Sequence, residues 1–499
     1  MSLQRLQYKH RIFDDLQGII HLTETEYAII NSPYFQRLRN IKQLGLAYYV
    51  FPGATHTRFS HSIGVLGVAD RLLRHLNISE SNQIKIRLAA LLHDIGHFPL
   101  SHTIEEVYSD NKKQNEDLKI EDSFKPTNTN THPVDQTATV EKHKKYSALH
   151  EELSAEIIKN TDFDNGITKI LKESGRHNDK DIEEIAGIVC GHHPTLLFNQ
   201  IMHSDLDIDR MDYLNRDSKN AGLIYGMFDM EYLIESFEVV KFPNTEQEIL
   251  CVKGKALAVI EDFLFARYHH YLRIIYNRTY QYFDSIAKFI FDELVNKKLV
   301  FDYESAKKML LTEKNLDAVI KFDDSYFFTS IMQHKSSCSS KTKKLIDDIV
   351  YRKESKNKIS TLQKWTDKNE IFSQDINCPI KECSLKREVC NCNNKSSDYF
   401  DEGTKKYYLK NNLSLSICDN KKNIQDKEGE SFTKKYPVIY SLTNPIRIKL
   451  ENNDPVCNDE DLHDKQNKII ALCAFDDSII SQLAKKELHI IYNYCDADI

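Results

Sequence analysis

Residues 91–102, LLHDIGHFPLSH, place three histidines and one aspartate immediately after an apolar run. Imidazole and carboxylate groups together suit Zn, Mn, Fe, Co or Ni ions. Burying a carboxylate beside an apolar run is costly unless a cation or hydrogen bonds offset it. The adjacent pair His93 and Asp94 therefore favours a metal site over the alternative of half-buried, hydrogen-bonded histidines at the end of a core helix.

A divalent metal needs more ligands than one His-Asp pair, and the chain offers candidates on both sides of it. His61 lies near the start of an amphipathic helix, HSIGVLGVADRLLRHL. The stretch DLDIDRMDY contributes Asp209 and three competitors, Asp205, Asp207 and Asp212. Acidic residues at a helix start often only compensate the helix dipole, so the pattern alone leaves this choice open. Ligands from three helices can converge inside a bundle, where a metal turns water into a nucleophile.

The bulk composition shows no general attraction to nucleic acid or membranes. The 499-residue chain is 41% hydrophobic and has a formal charge of -7. Nucleic acid is therefore not expected as its main ligand, and an anionic substrate needs a local cluster of cations or a metal. We expect no signal peptide and no membrane helix, because no apolar run reaches about 18 residues. Eleven cysteines in such a chain indicate reduced thiols and favour a cytoplasmic protein, and they do not exclude a nuclear location.

The spacing of apolar residues divides the chain into two regions. Residues 1–300 show helical spacing, except for a polar stretch at about 108–146 that we interpret as a disordered insertion rather than a lid. Residues 301–499 show a weaker signal, with strand-like alternation in YPVIYSLTNPIRIKLEN. We therefore expect a mostly α protein: a helical bundle and a smaller C-terminal α/β region that mediates assembly or regulation.

The order H…HD…D, with longer blocks around it, resembles the HD-domain deoxynucleoside triphosphate triphosphohydrolases. The blocks are SPYFQRLRNIKQLGLAYYVFPGATHTRFSHSIGV, LLHDIGHFPLSH, HEELS and DIDRMDYLNRD, and they span about residues 7–290. The resemblance implies an HD-domain helical bundle that holds a divalent metal ion, with Fe, Mn, Zn, Ni, Co and Mg all open. The implied metal ligands are His61, His93, Asp94 and Asp209.

The resemblance also implies how a deoxynucleoside triphosphate (dNTP) is cleaved. Water attacks the α-phosphorus, His102 protonates the leaving 5′-oxygen, and the products are a deoxynucleoside and inorganic triphosphate. The implied catalytic residues are His97, His102, Glu105, His150 and Glu151. The implied substrate contacts are Gln43, Leu44, Arg58, Arg210, Tyr213, Asp217, Arg267 and Tyr271. Among these, Gln43 and Leu44 crowd the sugar and disfavour a 2′-hydroxyl.

The stretch ARYHHYLRIIYNRTY departs from the family pattern. Arg267 fits it, and Tyr271 follows one turn later. Ile275 or Tyr276 stands where the family has a tyrosine, and residues 277–278, Asn-Arg, replace a basic pair. The selectivity for base and sugar is therefore open.

Regulated members of the family bind activating nucleotides between subunits, so the resemblance implies a homo-oligomer. The residues expected to face such a nucleotide are Arg11, Asn31, Gln36 and Arg39. Asn31 stands where a family aspartate reads guanine, and an amide both donates and accepts, so we expect weaker base discrimination. The alternative is that Arg37, Arg39 and Lys42 form a solvated helix face.

Two other hypotheses and one further motif stay open. In the first hypothesis, the chain is an HD phosphohydrolase that acts on another nucleotide phosphate ester. In the second, it is a nucleotide-sensing assembly protein with weak catalysis. A cysteine group has the spacing C-x4-C-x6-C-x-C, which lacks the paired CxxC of common zinc modules and disfavours a zinc site. Its members are Cys378, Cys383, Cys390 and Cys392.

Overall fold

Helices dominate the protein, which confirms the mostly α prediction. The computed structural model describes residues 6–123, 148–241, 247–312 and 316–353, and the backbone of two strands at 447–450 and 468–471. The first helices are α1 (Glu24–Ile30), α2 (Pro33–Arg37), α3 (Arg58–His75), α4 (Glu80–Leu92), α5 (His102–Ser123) and α6 (Leu149–Asn160). Within the described ranges, no helix is long and apolar enough to cross a membrane.

The remaining helices follow in two groups. The first group is α7 (Ile167–Glu173), α8 (Asp179–Val189), α9 (Leu196–His203), α10 (Ile208–Ala221) and α11 (Met230–Ser236). The second group is α12 (Leu257–His270), α13 (Arg278–Asn296), α14 (Tyr303–Leu310), α15 (Leu316–Lys321), α16 (Asp324–Gln333) and α17 (Ser340–Val350). A π-helical turn at Tyr271–Ile275 separates α12 from α13.

The strands form two small sheets. They are β1 (Tyr8–Asp14), β2 (Gly18–Thr23), β3 (Phe237–Lys241), β4 (Glu248–Lys253), β5 (Arg447–Leu450) and β6 (Lys468–Ala471). An antiparallel hairpin contains β1 and β2, and the second sheet has the order β3-β4-β5-β6. The β5 strand lies in the stretch that was predicted to alternate, and it pairs in parallel with β4. The second sheet therefore joins strands from both sides of residue 300.

The polar stretch predicted to begin at about 108 is helical in its first part, because α5 continues to Ser123. The prediction took the low apolar content as a loop signal. The residues at 108–123 are nevertheless mostly compatible with a helix, and Lys, Gln and Glu favour one. Residues 124–146 and the four cysteines at 378–392 lie outside the described residues.

Three helices and one loop position the candidate site. Helix α3 is buried along most of its length and packs against α4 and α10. A capping box fixes its start, with the side chain of Thr57 accepting from the backbone N–H of Ser60. A Cβ atom on Gly64 would lie 2.1 Å from the guanidinium of Arg216 on α10, so only glycine allows this close approach.

The loop between α4 and α5 holds its shape through a distant acid. Leu100 and Ser101 both have φ angles of 54°, in the left-handed region that non-glycine residues rarely adopt. The carboxylate of Asp324, on α16, accepts from the backbone N–H of Leu100 at 2.7 Å. The same carboxylate accepts from the backbone N–H of Lys42 at 3.1 Å. Helix α16 thus braces the loop that carries the His-Asp pair.

Candidate metal and phosphate site

The structure brings His61, His93, Asp94 and Asp209 together. Ligand atoms of the first three lie within 4.8 Å of one another. The Nε2 atom of His61 lies 2.9 Å from the Oδ1 atom of Asp209 and 3.3 Å from the Nε2 atom of His93. Asp94 completes the group, with its Oδ1 atom 3.4 Å from His93 Nε2. The converging imidazole nitrogens and carboxylate oxygens form a donor set that fits a divalent metal ion.

The orientation of each imidazole is fixed from its other nitrogen. His93 donates from Nδ1 to the backbone carbonyl of Ala90 at 2.8 Å, and His61 donates from Nδ1 to Asp212 at 3.0 Å. Both histidines therefore offer Nε2 to a metal. Such carboxylate and carbonyl partners set the tautomer of a metal-binding histidine and raise its basicity. Asp212 is held in turn by Arg216, at 2.7 Å, and by the side chain of Gln17, at 2.7 Å.

The four competing acids have different positions. Asp207 caps the start of α10 and forms an ion pair with Arg210. Asp205 lies 3.8 Å from Arg267. Asp212 bonds the Nδ1 side of His61, so of the four acids Asp209 is the one placed on the Nε2 side. The supporting role of Asp212 was missed, although its spacing of four residues from Arg216 on one helix was a signal for an ion pair.

The electrostatics of this group favour a bound positive charge. Burial lowers the pKa of His61, but its hydrogen bonds to Asp209 and Asp212 outweigh burial and raise it to about 10. Burial raises the pKa of Asp94, but the positive charges of Arg58 and His93 outweigh burial and bring the pKa well below its ordinary value. The carboxylates of Asp94 and Asp209 thus stay ionised and attract a cation.

A second histidine cluster adjoins the first through Asp94. It contains His97, His102 and His150, whose ligand nitrogens lie within 4.8 Å of one another. The rings of His97 and His150 are stacked, with centroids 3.9 Å apart. The carboxylate of Glu105 accepts from Nδ1 of His102 and from Nδ1 of His150, each at 2.8 Å. Glu105 therefore fixes both rings with Nε2 directed away from it.

The three histidines of this cluster differ in exposure and charge. His97 is fully buried, and neither of its ring nitrogens has a directed hydrogen bond among the described residues. Burial, Arg58 and His150 hold its pKa well below the ordinary value. Burial lowers the pKa of His150, but Glu105 raises it to about 9. The His102 side chain is 61% exposed. The distances between the three ligand nitrogens also suit a metal ion, but the positive charge of His150 favours phosphate as the ligand.

Glu151 has a structural position that the prediction did not foresee. Its side chain accepts from the backbone N–H of Ala148 at 3.2 Å, at the start of α6. It also lies 3.9 Å from the Nδ1 atom of His203. It acts on His150 through its charge, which adds to the raised pKa of that histidine. These contacts show how Glu151 is held, and its catalytic role stays a prediction.

The predicted phosphate cations lie around the two clusters, each next to an acid. Arg58 is buried and donates to Asp94 at 2.8 Å and to Ser101 at 3.0 Å. Arg267 is fully buried beside Asp205, and Arg210 pairs with Asp207 as described above. These pairings keep the guanidinium groups in place without a substrate.

Among the predicted sugar residues, Gln43 contacts the site through its backbone carbonyl, which accepts from Arg58 at 3.5 Å. Gln43 and Leu44 are buried, and Gln43 donates from its backbone N–H to the carbonyl of His56 at 3.1 Å. The Tyr213 ring lies 5.3 Å from the ring of His270, and Tyr271 begins the π-helical turn.

Asp217 lies between two histidines. Its two oxygens accept from Nε2 of His56 and Nε2 of His270, each at 2.7 Å. Each oxygen can accept a further hydrogen bond, and the implied substrate contact of Asp217 stays a prediction.

The residues expected to face an activating nucleotide lie at the surface near α1 and α2. Arg11 is exposed on β1, and Asn31 donates to the carbonyl of Tyr27 at 2.8 Å. Arg39 donates to Gln36 at 2.8 Å.

The alternative of a solvated helix face does not hold for Arg37. This residue is fully buried and donates to three backbone carbonyls, those of Ile95, His97 and Phe322. Arg37 therefore ties α2 to the loop of the His-Asp pair.

Comparison with known proteins places this site within the match to one family model. Residues 58–217 match the model described as the HD domain. The chain is 32% identical over 279 residues to the uncharacterized protein MJ1154 of Methanocaldococcus jannaschii, across 56% of this chain and 48% of that protein. It is 28% identical over 297 residues to the deoxynucleoside triphosphate triphosphohydrolase SAMHD1 of Homo sapiens, across 54% of this chain and 41% of that enzyme.

A solved structure is similar over most of the chain. The crystal structure of a hypothetical protein from Aquifex aeolicus matches with a TM-score of 0.51 and 26% identity, covering 74% of this chain and 83% of that one. By contrast, the chain spans less than half the length of the two relatives above, 48% and 41%. The family match contains both histidine clusters and Asp209. HD domains bind a divalent metal, and the His/Asp group here fits one.

Proposed function

We propose that the protein hydrolyses dNTPs to deoxynucleosides and inorganic triphosphate. One observation carries the proposal: Asp94 contacts both histidine clusters, the one that fits a metal ion and the one that we assign to phosphate. Its Oδ2 atom accepts from Arg58 at 2.8 Å, and its Oδ1 atom lies 3.3 Å from Nε2 of His97. A single carboxylate therefore aligns the metal ligands with a cation and a histidine suited to a phosphate.

Each residue then has a distinct task. His61, His93, Asp94 and Asp209 would hold a divalent ion, which would supply Lewis acidity and a more acidic water molecule. Arg58 and His150 neutralise the phosphates. His97 is stacked on His150 and lies 3.3 Å from Asp94. His102 is exposed, and Glu105 holds its Nδ1, so its Nε2 is oriented to give a proton to the leaving 5′-oxygen.

The relatives support a nucleotide substrate. The human relative is named a deoxynucleoside triphosphate triphosphohydrolase, and the cow relative has the same name and 28% identity over 298 residues. The triphosphate also fits the local charge, because the acidic chain gathers Arg58, Arg210, Arg267 and His150 around one site. A reaction on another nucleotide phosphate ester is the second candidate, since the π-helical turn changes the part that faces base and sugar in the family.

We also propose that the protein is a homo-oligomer that responds to nucleotides. The exposed Arg11 and the surface pair Gln36 and Arg39 give a nucleotide a set of donors outside the catalytic cleft. A nucleotide shifts assembly only through preferential binding to the assembled form. Sedimentation with each nucleotide titrated separately tests this point, and a chain that stays monomeric with all of them contradicts it.

The experiment for the main proposal is a substrate panel with the purified, metal-loaded protein. Each dNTP, each ribonucleotide and a set of nucleoside monophosphates and cyclic nucleotides are incubated, and chromatography separates triphosphate from pyrophosphate and phosphate. We expect triphosphate and deoxynucleoside in equal amounts. Release of pyrophosphate or phosphate alone contradicts the proposal and favours the second candidate.

A further inference from the structure

The turn before the exposed histidine of the second cluster has a strained backbone. Leu100 and Ser101 both adopt the left-handed region, and His102 follows them directly as the first residue of α5. This region is costly for residues with a side chain, and such strain persists only where the surrounding structure holds it. The turn therefore determines where α5 begins and in which direction the His102 side chain leaves the backbone.

A buried carboxylate from a distant part of the chain holds this turn. Asp324, at the start of α16, is 4% exposed, and its Oδ1 atom accepts from the backbone N–H of Leu100. Its Oδ2 atom accepts from the backbone N–H of Lys42, and the Lys42 ammonium lies 3.6 Å away. Burial raises the pKa of Asp324 to about 6, so the group is ionised at neutral pH. An ionised carboxylate only accepts hydrogen bonds, so it satisfies both N–H groups at once.

Hydrogen bonds continue from these two contacts to the cation beside the metal ligands. The hydroxyl of Ser101 donates to the carbonyl of Lys42 at 2.8 Å and accepts from Nε of Arg58 at 3.0 Å. Arg58 donates in turn to Asp94. The turn therefore fixes Arg58 as well as the start of the helix that carries His102.

A second buried carboxylate holds the other side of His102. Asp284, on α13, is 4% exposed and accepts from the hydroxyl of Thr103 at 2.6 Å. The ammonium of Lys288 lies 2.7 Å from the other oxygen of Asp284. The residue that follows His102 on α5 is thus tied to α13, and this tie is independent of Asp324.

Both carboxylates come from helices that follow the stretch matching the HD domain model, residues 58–217. The later helices also meet the loop that follows Lys42. The hydroxyl of Tyr49 donates to the carbonyl of Ile349 at 2.9 Å, and the carbonyl of Tyr49 accepts from the Arg352 guanidinium at 2.9 Å. Part of the region that was expected to mediate assembly or regulation therefore lies against the catalytic loops.

We propose that Asp324 and Asp284 are positioning residues for proton transfer by His102. Asp324 acts through the N–H of Leu100 and Asp284 acts through the hydroxyl of Thr103, so the start of α5 is set from both sides of His102. This inference rests on the proposed function and deepens it. When the bond between the α-phosphorus and the 5′-oxygen breaks, its electron pair goes to the oxygen, and the proton on Nε2 of His102 forms the new O–H bond.

The test uses a leaving group that needs no acid. In a dNTP analogue with sulfur in place of the 5′-oxygen, the departing sulfur carries its charge without a proton, because a thiol is far more acidic than an alcohol. Asp324→Asn puts an amide donor opposite a backbone N–H, so the bond to Leu100 or to Lys42 is lost. We expect kcat for the dNTP to fall about 10- to 100-fold with KM and metal content unchanged. The kcat value for the sulfur analogue should stay close to that of the wild type.

A second variant reaches the same helix start from the other side. Thr103→Val removes the hydroxyl that Asp284 accepts, and we expect a smaller fall in kcat for the dNTP, again without a fall for the sulfur analogue. If Asp324→Asn does not fold, as judged by thermal unfolding, Thr103→Val decides the question. Equal losses of kcat on both substrates reduce the two acids to structural braces and overturn the proposal, and so does an unchanged kcat for the dNTP.

The matched control is the neighbouring acid on the same helix start. Asp323 caps α16 and accepts from the backbone N–H of Ser325 at 2.9 Å. Asparagine is a good N-cap, so Asp323→Asn should keep the helix and give wild-type kcat on both substrates. If the wild-type protein cleaves dNTPs but the variants lose kcat equally on both substrates, this inference fails alone. If the wild-type protein neither binds nor cleaves any dNTP, the proposed function itself fails.

Discussion

The two histidine clusters share Asp94 but are built in opposite ways. In the metal group, His61 and His93 each have a fixed partner at Nδ1, and their Nε2 atoms converge inside the helical core. In the second cluster, His97 has no directed hydrogen bond among the described residues, and the His102 side chain is 61% exposed. The first arrangement suits a permanent ligand, whereas the second suits a substrate that enters and leaves. The carboxylate of Asp94 thus lies between a rigidly supported cluster and a more accessible one.

Removing a ligand from the metal cluster is expected to have the largest effect on metal content and turnover. Asp209→Asn takes an anionic ligand from the Nε2 side of His61, so the purified protein should lose most of its metal. Turnover should fall by more than about 100-fold, which is the upper cost of changing a residue that only supports a ligand. Metal content by elemental analysis and steady-state kinetics measure both effects.

The matched control for that variant is Asp207→Asn. Asparagine is a good N-cap, so the start of α10 should be kept. Metal retained in Asp209→Asn but lost in Asp207→Asn would show that the ligand assignment is wrong.

Changing the exposed histidine should affect chemistry and leave binding intact. His102→Ala removes the acid but no metal ligand, so we expect normal metal content and nucleotide affinity. The kcat value should fall about 10²- to 10⁴-fold. Steady-state kinetics with saturating dNTP and metal-loaded protein provide the measurement, and an unchanged kcat rules out the acid role.

Weakening the support of His61 is expected to have an intermediate effect. Asp212→Asn leaves the metal ligands in place but removes the charge that orients His61, so metal affinity should fall about 10- to 100-fold. Competition with a chelator measures this affinity. Asp15→Asn is the control, since Asp15 also pairs with Arg216, at 3.2 Å, but is remote from the imidazole. Equal losses in both variants would mean that Arg216, and not the bond to His61, matters.

The smallest effect concerns the charge of His150. Its pKa is raised to about 9, so the ion pair with Glu105 stabilises the fold fully below the ordinary pKa of about 6.5 and is lost as the pH rises through about 9. Phosphate affinity should follow the same charge. We expect KM for a dNTP to rise several-fold near pH 9 in the wild type.

The His150→Gln variant sharpens this prediction. Its KM should already be high at pH 7.5 and should stay level toward pH 9. His192→Gln, at an exposed histidine, should follow the wild-type profile. Identical profiles for all three proteins would remove His150 from the phosphate site.

The sequence predicts the metal group better than the sugar side. The pair His93 and Asp94 is adjacent in the chain, and the apolar run before it marks the helix end that carries it. His56 and Asp217 are 161 positions apart, and their hydrogen bond depends on how the segment before α3 packs on α10. The spacing of residues along the sequence cannot predict such a contact. For the same reason, Asp212 and Asp209 look alike in the sequence, since both are acids on one turn of α10.

The fold was predictable where apolar spacing was strong. The helical body follows from it, and so does the β5 strand in PIRIKL. Helix α5 was predicted too short, because a helix that is polar on most faces gives no periodic signal. The buried Arg37 was also unforeseen, since its three carbonyl partners come from a loop and from Phe322.

Hydrolysis in ¹⁸O-labelled water tests the central claim most directly. If water attacks the α-phosphorus of a dNTP, the bond between phosphorus and the 5′-oxygen breaks, and the label appears in inorganic triphosphate. The deoxynucleoside should then contain no label. Mass spectrometry that finds ¹⁸O in a nucleoside monophosphate or in the deoxynucleoside, with no labelled triphosphate, would contradict the account.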